Sequence, residues 1–361
     1  MALTKITADI LKDNTIVVGD LAATGTPTSS KALQGDDAWA TLSTSGTLNI
    51  AAADPGTGET SGNTWYLSGL INFVTDSLGI SGVWTTGGVL NYARDYPANS
   101  GNQKAGLIVS DESADDRQKC EEYDGITWTN ANPTVQTLWY TTMFGSQSAS
   151  VECLGNNPVA TTDNANEYDG TSWAASNNVQ TPRKAPGSSG TLSAGLTFGG
   201  QLAPGPAPGS TEEYDGTTWV TSNNMTTGVV GPRGAGIQTA TVAAGGYTLP
   251  NTVVSTSAEY DGTSWTTQNA LLTGRRHYIC FGSMTSAISA GGSATSPSGN
   301  LDSTEYYDGT CWSGRTNLLQ EVNTSSGGGS SNAGFTAGGY DGAALNATEE
   351  WVAPLVQFVA V

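Results

Sequence analysis

Glu213-Tyr214-Asp215-Gly216-Thr217-Thr218-Trp219 is one copy of a pattern that returns along most of this chain. Its tyrosine position recurs at steps of 45, 46, 46, 47 and 44 residues, and tryptophan replaces tyrosine in the last copy. A period in this range predicts propeller blades or solenoid turns. The tyrosine position is occupied by Tyr123, Tyr168, Tyr214, Tyr260, Tyr307 and Trp351. In the five complete copies the tryptophans are Trp128, Trp173, Trp219, Trp265 and Trp312.

The two ends of the repeat are incomplete in complementary ways. Trp351 occupies the tyrosine position, but no Asp-Gly-x-x-Trp follows it. Trp84 lies 44 residues before Trp128 and has no Tyr-Asp-Gly before it. A ring closes when an N-terminal strand completes the C-terminal blade, whereas a linear solenoid has no use for two half units. The sequence therefore predicts an all-β protein, a six-bladed β-propeller that is closed by an N-terminal strand.

Glycines punctuate each period. Runs of apolar and small residues, such as residues 194–200, end in a glycine pair in four of the six copies. Glycine in a strand marks a close approach of backbone, which we expect near the axis of a propeller. The Asp-Gly pair is expected to form a tight hairpin turn with both residues at positive φ. The tyrosine and tryptophan on either side are expected to anchor each blade between its neighbours.

Together, the glycine pairs, the acidic residue with tyrosine and the following tryptophan resemble kelch repeats. The resemblance covers about residues 81–353 and implies the propeller fold without implying a particular function. Two features depart from the kelch pattern. The tyrosine-to-tryptophan interval is only five residues, and the first two copies show Val109-Ser110 and Leu154-Gly155 in place of the glycine pair. The sialidase Asp-box is also similar, but its spacing differs and its role is a structural hairpin.

Charge and hydropathy exclude several classes of function. The 361 residues carry a formal net charge of −19, with 13 lysines and arginines. Nucleic-acid binding depends on cationic side chains that neutralise phosphates, so we expect no nucleic-acid partner. No segment approaches the roughly 20 apolar residues that a membrane helix needs, and the first residues lack a signal-peptide core. We therefore expect a protein that is not inserted in a membrane and not exported by a signal peptide.

The sequence predicts no catalytic residue, no metal and no cofactor. Its four cysteines have no zinc-site spacing and are expected to be buried free thiols, and His277 is its one histidine. Glycoside hydrolysis needs only two carboxylates, but most acids here recur with the repeat and are expected to serve the hairpins. These acids are Glu122, Glu167, Glu213 and Glu259, with Asp124, Asp169, Asp215, Asp261 and Asp308.

The first 75 residues have a different character from residues 76–361, the predicted propeller domain with its C-terminal strand. Residues 3–14 are predicted to form a short amphipathic helix, and residues 355–361 a strand that pairs with the N-terminal region. Residues 2–9 and residues 27–42, which include Gly35-Asp36 before Trp39, resemble segments of bacteriophage tail-fibre and related virion proteins. The resemblance implies that residues 1–75 attach to other virion proteins or form a homo-oligomer, most simply a trimer. It also implies a location in the virion, which is assembled in the host cytoplasm.

Candidate ligand-binding residues follow the repeat tryptophans. Arg94, Arg183 and Arg275 each lie ten residues after one, and Arg233 lies fourteen residues after Trp219. By the kelch resemblance this position is near the channel mouth, so a ring of guanidinium groups could bind an acidic sugar. Alternatively, each arginine bridges adjacent blades through its rigid fork of donors.

The second blade has aromatic residues at this position of the repeat. Trp139 and Tyr140 are candidates for stacking on a sugar ring, or for packing between blades. His277 is a candidate acid or base near neutral pH, or a structural residue.

These observations favour a phage virion structural protein, a tail fibre or adhesin whose propeller binds glycans on the host surface. One alternative is a virion decoration or collar protein that only packs against other subunits. A glycan-cleaving enzyme is less favoured, because the carboxylates show no asymmetry.

Overall fold

The structure is a computed structural model that describes residues 73–74, 82–112, 117–295, 299–353 and 359–360. In these residues all regular secondary structure is β-strand, and six antiparallel sheets have four strands each. Each sheet is one blade of a propeller. Blades 1 to 3 contain β3 (Ala98–Asn102), β4 (Ala105–Val109), β5 (Cys120–Tyr123) and β6 (Trp128–Ala131); β7 (Thr142–Ser146), β8 (Ala149–Cys153), β9 (Ala165–Tyr168) and β10 (Trp173–Ser176); and β11 (Gly187–Thr191), β12 (Ala194–Phe198), β13 (Thr211–Tyr214) and β14 (Trp219–Ser222).

Blades 4 to 6 complete the ring, and the innermost strand of each blade contacts that of the next, from blade 1 round to blade 6 and back. Blade 4 also carries a small hairpin, β17 (Tyr247–Thr248) and β18 (Thr252–Val253). The strands are β15 (Arg233–Ile237), β16 (Ala240–Ala244), β19 (Ser257–Tyr260) and β20 (Trp265–Gln268); β21 (Ile279–Ser283), β22 (Ser286–Ala290), β23 (Thr304–Tyr307) and β24 (Trp312–Arg315); and β25 (Ser326–Ser330), β26 (Ala333–Ala337) and β27 (Thr348–Val352) with β2 (Val83–Thr86).

Blade 6 is completed by the N-terminal strand, as the sequence predicts. Strand β2 pairs antiparallel with β27, and Trp84 stands opposite Trp351 in the register. The two indole rings have centroids 5.4 Å apart, and both side chains are buried. Trp84 Nε1 donates a hydrogen bond of 3.0 Å to Thr304 Oγ1 of blade 5. The two half units at the ends of the repeat therefore form one blade.

Burial changes from the second to the fourth strand of each blade. Four of the five residues in each second strand are buried, because neighbouring blades cover both faces of the sheet. Such strands are apolar runs without strict alternation. The fourth strand buries only its tryptophan, and its other residues are exposed or half-buried and mostly small or polar, as suits a sheet edge that faces water.

The repeat tyrosines and tryptophans connect adjacent blades, as predicted. Each of the five tyrosines donates its hydroxyl hydrogen bond to a glutamate of the preceding blade; Tyr168 to Glu122 is 2.8 Å, for example. Tryptophan indoles reach back in the same way, and Trp128 Nε1 lies 2.9 Å from Thr348 Oγ1. The tyrosine–glutamate pairs are Tyr123–Glu350, Tyr168–Glu122, Tyr214–Glu167, Tyr260–Glu213 and Tyr307–Glu259.

The Asp-Gly turns differ from the predicted two-residue turn. Tyr214 pairs directly with Trp219, so the loop has four residues, and within it only Gly216 has a positive φ, of 91°. Asp215 keeps an ordinary φ because its carboxylate stabilises the loop instead. Its Oδ1 accepts hydrogen bonds from the backbone N–H groups of Thr217 and Thr218, at 2.8 and 2.7 Å. This Asx-type contact explains the pattern Asp-Gly-x-x.

The glycine pairs also have a different place from the predicted one. They follow the second strand of a blade, where both residues are left-handed, as at Gly199 (φ 63°) and Gly200 (φ 93°). In blade 1 the structure places Ser110 and Asp111 at these two positions, and not Val109 and Ser110 as the sequence alignment suggested. Ser110 has the left-handed φ of the first glycine, 63°. The crowded backbone at the axis is relieved by other glycines, in the inner strands.

Each blade has two different ends. One end carries the Asp-Gly hairpins together with the turns between first and second strands, and we call this side of the ring the hairpin face. The other end carries the loops between second and third strands and the connections between blades, and we call it the loop face.

The remaining described strands are not part of the six blades. The chain divides into two units, Met1–Ile80 with Leu355–Val361 and Ser81–Pro354. In the first unit, β1 (Phe73–Val74) pairs antiparallel with β28 (Val359–Ala360), which confirms the predicted pairing of the C-terminal segment with the N-terminal region. The predicted helix of residues 3–14 and the segment of residues 27–42 lie outside the described residues, and the domain boundary at residue 75 stays a prediction. Within the described part of the chain, no helix is long and apolar enough to cross a membrane.

Candidate functional site

A ring of left-handed residues surrounds the loop-face end of the central channel. Each blade has one, two positions before its inner strand, and the six φ angles lie between 49° and 66°. The ring residues also bond to one another through the backbone. Ala185 N donates to Tyr140 O at 2.9 Å, Gly231 N to Ala185 O at 2.9 Å, and Thr324 N to His277 O at 2.7 Å. The ring residues are Tyr96, Tyr140, Ala185, Gly231, His277 and Thr324.

Three of these six positions carry aromatic side chains, and the three pack together. The ring centroid of Tyr96 lies 4.8 Å from that of Tyr140 and 4.9 Å from that of His277, both with edge-to-face geometry. The Tyr96 hydroxyl and His277 Nδ1 share a hydrogen bond of 2.9 Å. We call Tyr96, Tyr140 and His277 the aromatic cap, because they come from the residues that encircle this end of the channel.

The aromatic cap is uncharged at neutral pH. Burial, with smaller contributions from Arg276 and Arg233, lowers the pKa of His277 to about 3. Burial and the neighbouring Asp95 raise the pKa of Tyr96 well above its usual value. A histidine with this pKa is a neutral hydrogen-bonding group near pH 7 and not the acid or base that the sequence suggested.

Beside the aromatic cap, the loop face opens into a groove of about 710 Å³. It extends over the connections between blades 4 and 5, 5 and 6, and 6 and 1. Polar and aromatic side chains line it, including three carboxylates. We call it the loop-face groove; it is lined by Asp95, Tyr96, Arg276, His277, Ser293, Gly299, Asn300, Glu321, Asn323, Tyr340, Asp341 and Gly342.

Short bridges between loops hold the groove side chains in place. Tyr340 and Asn323 exchange backbone hydrogen bonds of 2.8 and 3.1 Å, which leaves the Tyr340 side chain 39% exposed. The Asn323 and Asn300 side chains bond to each other, and Asn300 Nδ2 donates to Tyr340 O at 3.2 Å. Two amides and one aromatic ring thus form a fixed group on one side of the groove.

On another side, the β17–β18 hairpin of blade 4 positions Arg276. Arg276 Nη1 donates to Asn251 Oδ1 at 2.7 Å, and its guanidinium carbon lies 5.5 Å from the centroid of the Tyr247 ring. Tyr247 in turn contacts His277 with ring centroids 5.9 Å apart. A cation is therefore fixed next to the aromatic cap and faces the groove.

Three of the predicted arginines lie inside the blades. Their side chains have no exposed surface, and each is paired with a glutamate of the third strand: Arg94 with Glu121 at 2.9 Å, and Arg183 with Glu212 and Arg275 with Glu305 at 2.6 Å. All three pairs are within one blade and the connection that leads into it, so the guanidinium forks do not bridge adjacent blades. The backbone of each arginine does, because its carbonyl accepts a hydrogen bond from a residue of the preceding blade. Because they are buried and each is paired with a glutamate, these guanidinium groups do not form a ring at the channel mouth.

Arg233 does not share their position in the repeat. The carbonyls of Arg183 and Arg275 accept a hydrogen bond from the second glycine-pair position of a neighbouring blade, and in blade 4 the carbonyl of Val229 does so. Arg233 is four residues farther on, at the first position of β15, and it lines the central channel. The sequence signal for this difference was the distance from the repeat tryptophan to the arginine, which is fourteen residues for Arg233 and ten for the other three arginines.

Trp139 and Tyr140 occupy different settings. The guanidinium carbon of Arg117 lies 3.7 Å from the centroid of the Trp139 ring and covers it. Tyr140 belongs to the aromatic cap, and its hydroxyl donates to Glu112 Oε1 at 2.5 Å. Both side chains are half-buried, and neither lines the loop-face groove.

Sequence reasoning missed Tyr96, Asn300 and Tyr340. An alignment of the six connections between blades would have identified Tyr96, because it occupies the same repeat position as Tyr140 and His277. Tyr340 directly follows the glycine pair, the position that bridges to a neighbouring connection in blades 2 to 6. The bridge of Asn300 to Ser293 has counterparts in blades 2 and 6, but the bridging residues there are Thr161 and Ala344, so no residue type repeats at this position.

The described residues include no group of three or more His, Cys, Asp or Glu side chains placed to hold a metal ion. The four cysteines are free. Cys120, Cys153 and Cys280 are buried as expected, but Cys311 is exposed because it lies in an Asp-Gly hairpin. Burial raises the pKa of the Cys120 thiol to about 12, so it is not a reactive thiolate.

The fold defines a class, the six-bladed β-propellers with four-stranded blades whose last blade is closed by an N-terminal strand. A structure titled "Structure of YjhT" superposes on 73% of this chain and 96% of its own, with a TM-score of 0.59 and 12% sequence identity. At that identity the likeness shows the fold alone. No protein-family model and no curated protein matches the chain.

Proposed function

We propose that this protein is a bacteriophage virion protein, a tail fibre or adhesin that displays its propeller for binding to glycans on the host surface. The observation that carries the binding function is the loop-face groove, with its fixed amides, carboxylates and the exposed ring of Tyr340. Sugar hydroxyls pair with such polar groups, and an aromatic ring offers an apolar face to the sugar. The virion location rests on the resemblance of residues 2–9 and 27–42 to tail-fibre segments.

The groove chemistry supports binding without catalysis. A glycosidase needs two carboxyl groups across the scissile bond, one of them a proton donor. Asp95 is the groove carboxylate whose pKa is raised, mainly by burial, but its Oδ1 accepts a hydrogen bond of 2.5 Å from Thr324 Oγ1. The pKa of His277 is lowered to about 3, so near pH 7 its imidazole carries no proton to donate as a general acid in the groove.

The binding proposal is tested with a glycan array and the full-length protein. The groove variant combines Tyr340→Ala with Asn300→Ala, which removes the exposed ring and one fixed amide. The control variant is Ile126→Ala, because Ile126 is 75% exposed on the hairpin face. We expect glycans to bind the wild type and the control, with at least about tenfold weaker binding by the groove variant.

Two results would contradict this proposal. Equal binding by the groove variant and the wild type would place the glycan site elsewhere on the propeller. Binding by none of the proteins would remove the adhesin role and favour a decoration or collar protein.

The N-terminal region is proposed to form a homo-oligomer, most simply a trimer, and to contact other virion proteins. Light scattering on the full chain and on a chain without residues 1–60 tests this directly. We expect an oligomer for the first and a monomer for the second. A monomeric full chain would contradict the oligomer proposal without affecting the glycan result.

A further inference from the structure

The axis of the ring holds a second cavity, of about 150 Å³, which we call the axial channel. Its walls are the six inner strands, rich in glycine and serine. Among the described residues that line it, Arg233 carries the single charged side chain. This cavity is separate from the loop-face groove and shares no lining residue with it.

Each inner strand has a glycine where it lines the axial channel. The fourth residue of every inner strand is a glycine with φ between 88° and 134°. A Cβ at these positions would lie only 2.1 to 2.4 Å from a carbonyl oxygen of the second strand, so no side chain is tolerated. These residues are Gly101, Gly145, Gly190, Gly236, Gly282 and Gly329.

Arg233 differs from the other enclosed arginines in its lack of a counter-ion. Its Nε donates to Tyr278 O at 3.1 Å, and its two terminal nitrogens make no hydrogen bond or ion pair with any described residue. Arg94, Arg183 and Arg275 each have a glutamate. The Arg233 side chain keeps some surface toward the channel although it lies deep in the ring, and this burial lowers its pKa. An enclosed cation without a partner is unfavourable, and an anion in the channel would stabilise it.

A second polar group lines the same end of the axial channel. Ser325 Oγ is buried and has no hydrogen-bond partner among the described residues. Ser325 directly precedes β25, and Arg233 is the first residue of β15, so both lie at the loop-face end of the inner strands. Buried hydroxyls are normally paired, so an unpaired one that lines a cavity with a cation points to a ligand.

We propose that the axial channel binds a small monocarboxylate, with Arg233 donating to the carboxylate and Ser325 Oγ donating a further hydrogen bond. The fork of guanidinium donors matches a carboxylate. One guanidinium compensates one negative charge, whereas a dianion would leave excess charge enclosed in a protein of net charge −19. Because the aromatic cap lies over the loop-face end, the ligand enters from the hairpin face. This proposal is independent of glycan binding in the loop-face groove.

The test is calorimetric titration of the full-length protein with acetate, and with sulfate at the same ionic strength, in a buffer low in chloride. The variant is Arg233→Gln, and the control is Arg315→Gln, which removes the same charge from the outer strand β24. We expect saturable acetate binding to wild type and control, weakened at least about tenfold in Arg233→Gln, because charge-assisted hydrogen bonds are lost. Ser325→Ala should weaken binding less, and sulfate should bind less tightly than acetate.

Equal acetate affinity in wild type and Arg233→Gln would overturn the proposal, as would tighter binding of sulfate or no saturable acetate binding to the wild type. Urea unfolding checks that the variant is folded. If Arg233→Gln does not fold, Arg233→Lys decides the question, because lysine keeps the charge and loses the fork. Unchanged acetate binding by a folded Arg233→Lys would then reduce the site to a nonspecific electrostatic one and overturn the assigned geometry.

Discussion

The hairpin face and the loop face of the ring differ in how strictly they repeat. On the hairpin face, all five Asp-Gly hairpins make the same contact, with the aspartate Oδ1 accepting two backbone N–H groups at 2.7 to 2.8 Å. On the loop face, one blade has an inserted hairpin, and the ring of left-handed residues carries five different residue types. The hairpin residues, which form hydrogen bonds within the blade, repeat from blade to blade, whereas the loop-face residues differ.

The tyrosine–glutamate contact between adjacent blades is absent between blades 5 and 6, and both of its residues are replaced there. Blade 6 has Trp351 where the other blades have tyrosine, and blade 5 has Tyr306 where the other blades have glutamate. The hydroxyl donor and its carboxylate acceptor are thus replaced together. A paired replacement of this kind is expected where two residues act only through each other.

Breaking the ring at its closure should have the largest effect. Deletion of residues 1–86 removes β2 and Trp84, so blade 6 loses its fourth strand and Trp351 loses the indole that packs on it. We expect loss of the cooperative urea transition and of near-ultraviolet circular dichroism. Deletion of residues 1–60 is the control and should leave the transition in place. Equal tolerance of both deletions would contradict closure by β2.

On the loop face, the corresponding test is removal of the β17–β18 hairpin of blade 4. Replacing residues 248–252 by two glycines should change the free energy of unfolding by less than about 1 kcal/mol, because few contacts outside the loop are lost. A loss comparable to that of the closure deletion would show that the two faces contribute equally to stability.

The buried ion pairs give the next largest effect. Arg183→Met leaves Glu212 buried without its cation and should cost about 3 to 5 kcal/mol in urea unfolding. The chain itself offers the matched control, since blade 4 has Val229 and Ala258 at the same two positions. The double variant Arg183→Val with Glu212→Ala should therefore be less destabilised than Arg183→Met. A double variant at least as unstable would show that the pair cannot be exchanged between blades.

A smaller effect is expected from Glu152, the one acid at its position of the repeat. It is fully buried and accepts hydrogen bonds from Ser110 and Asn166, and burial raises its pKa to about 7. The folded state thus holds a proton that the unfolded state releases near pH 4.5, so stability should fall as pH rises from there to about 7.

The slope contributed by this group is at most about 1.4 kcal/mol per pH unit. Urea midpoints measured across this range should lose that slope in Glu152→Gln and keep it in Glu321→Gln, a change at an exposed carboxylate. An unchanged slope in Glu152→Gln would rule out the buried carboxyl as its source.

The smallest effect compares one tyrosine from each face. Tyr260→Phe removes a hydroxyl that bonds to Glu213 of the preceding blade, and it should cost about 1 kcal/mol. Tyr340→Phe removes an exposed hydroxyl on the loop face and should stay within about 0.5 kcal/mol of the wild type. Equal values from urea unfolding would mean that the repeated hydroxyl contributes no more than an ordinary surface group.

Arg233 shows why the candidate sites could be predicted less well than the fold. Its spacing from Trp219 was visible in the sequence, but only the structure shows that the fourteenth residue after a repeat tryptophan begins the inner strand, which lines the axial channel, whereas the tenth is buried inside the blade. The structure also separated arginines that look alike in sequence: three have a glutamate partner, and among the described residues Arg233 has only the carbonyl of Tyr278.

The sequence by itself determined the six blades, the closure by Trp84 and the contacts of tyrosine and tryptophan between blades. It did so because a blade can bury its faces only against further copies, so these contacts must recur at a constant period. The tertiary structure alone decided which loop residues meet in the loop-face groove and the aromatic cap. Tyr96 and His277 are 181 residues apart, and only the closed ring brings their side chains within hydrogen-bonding distance.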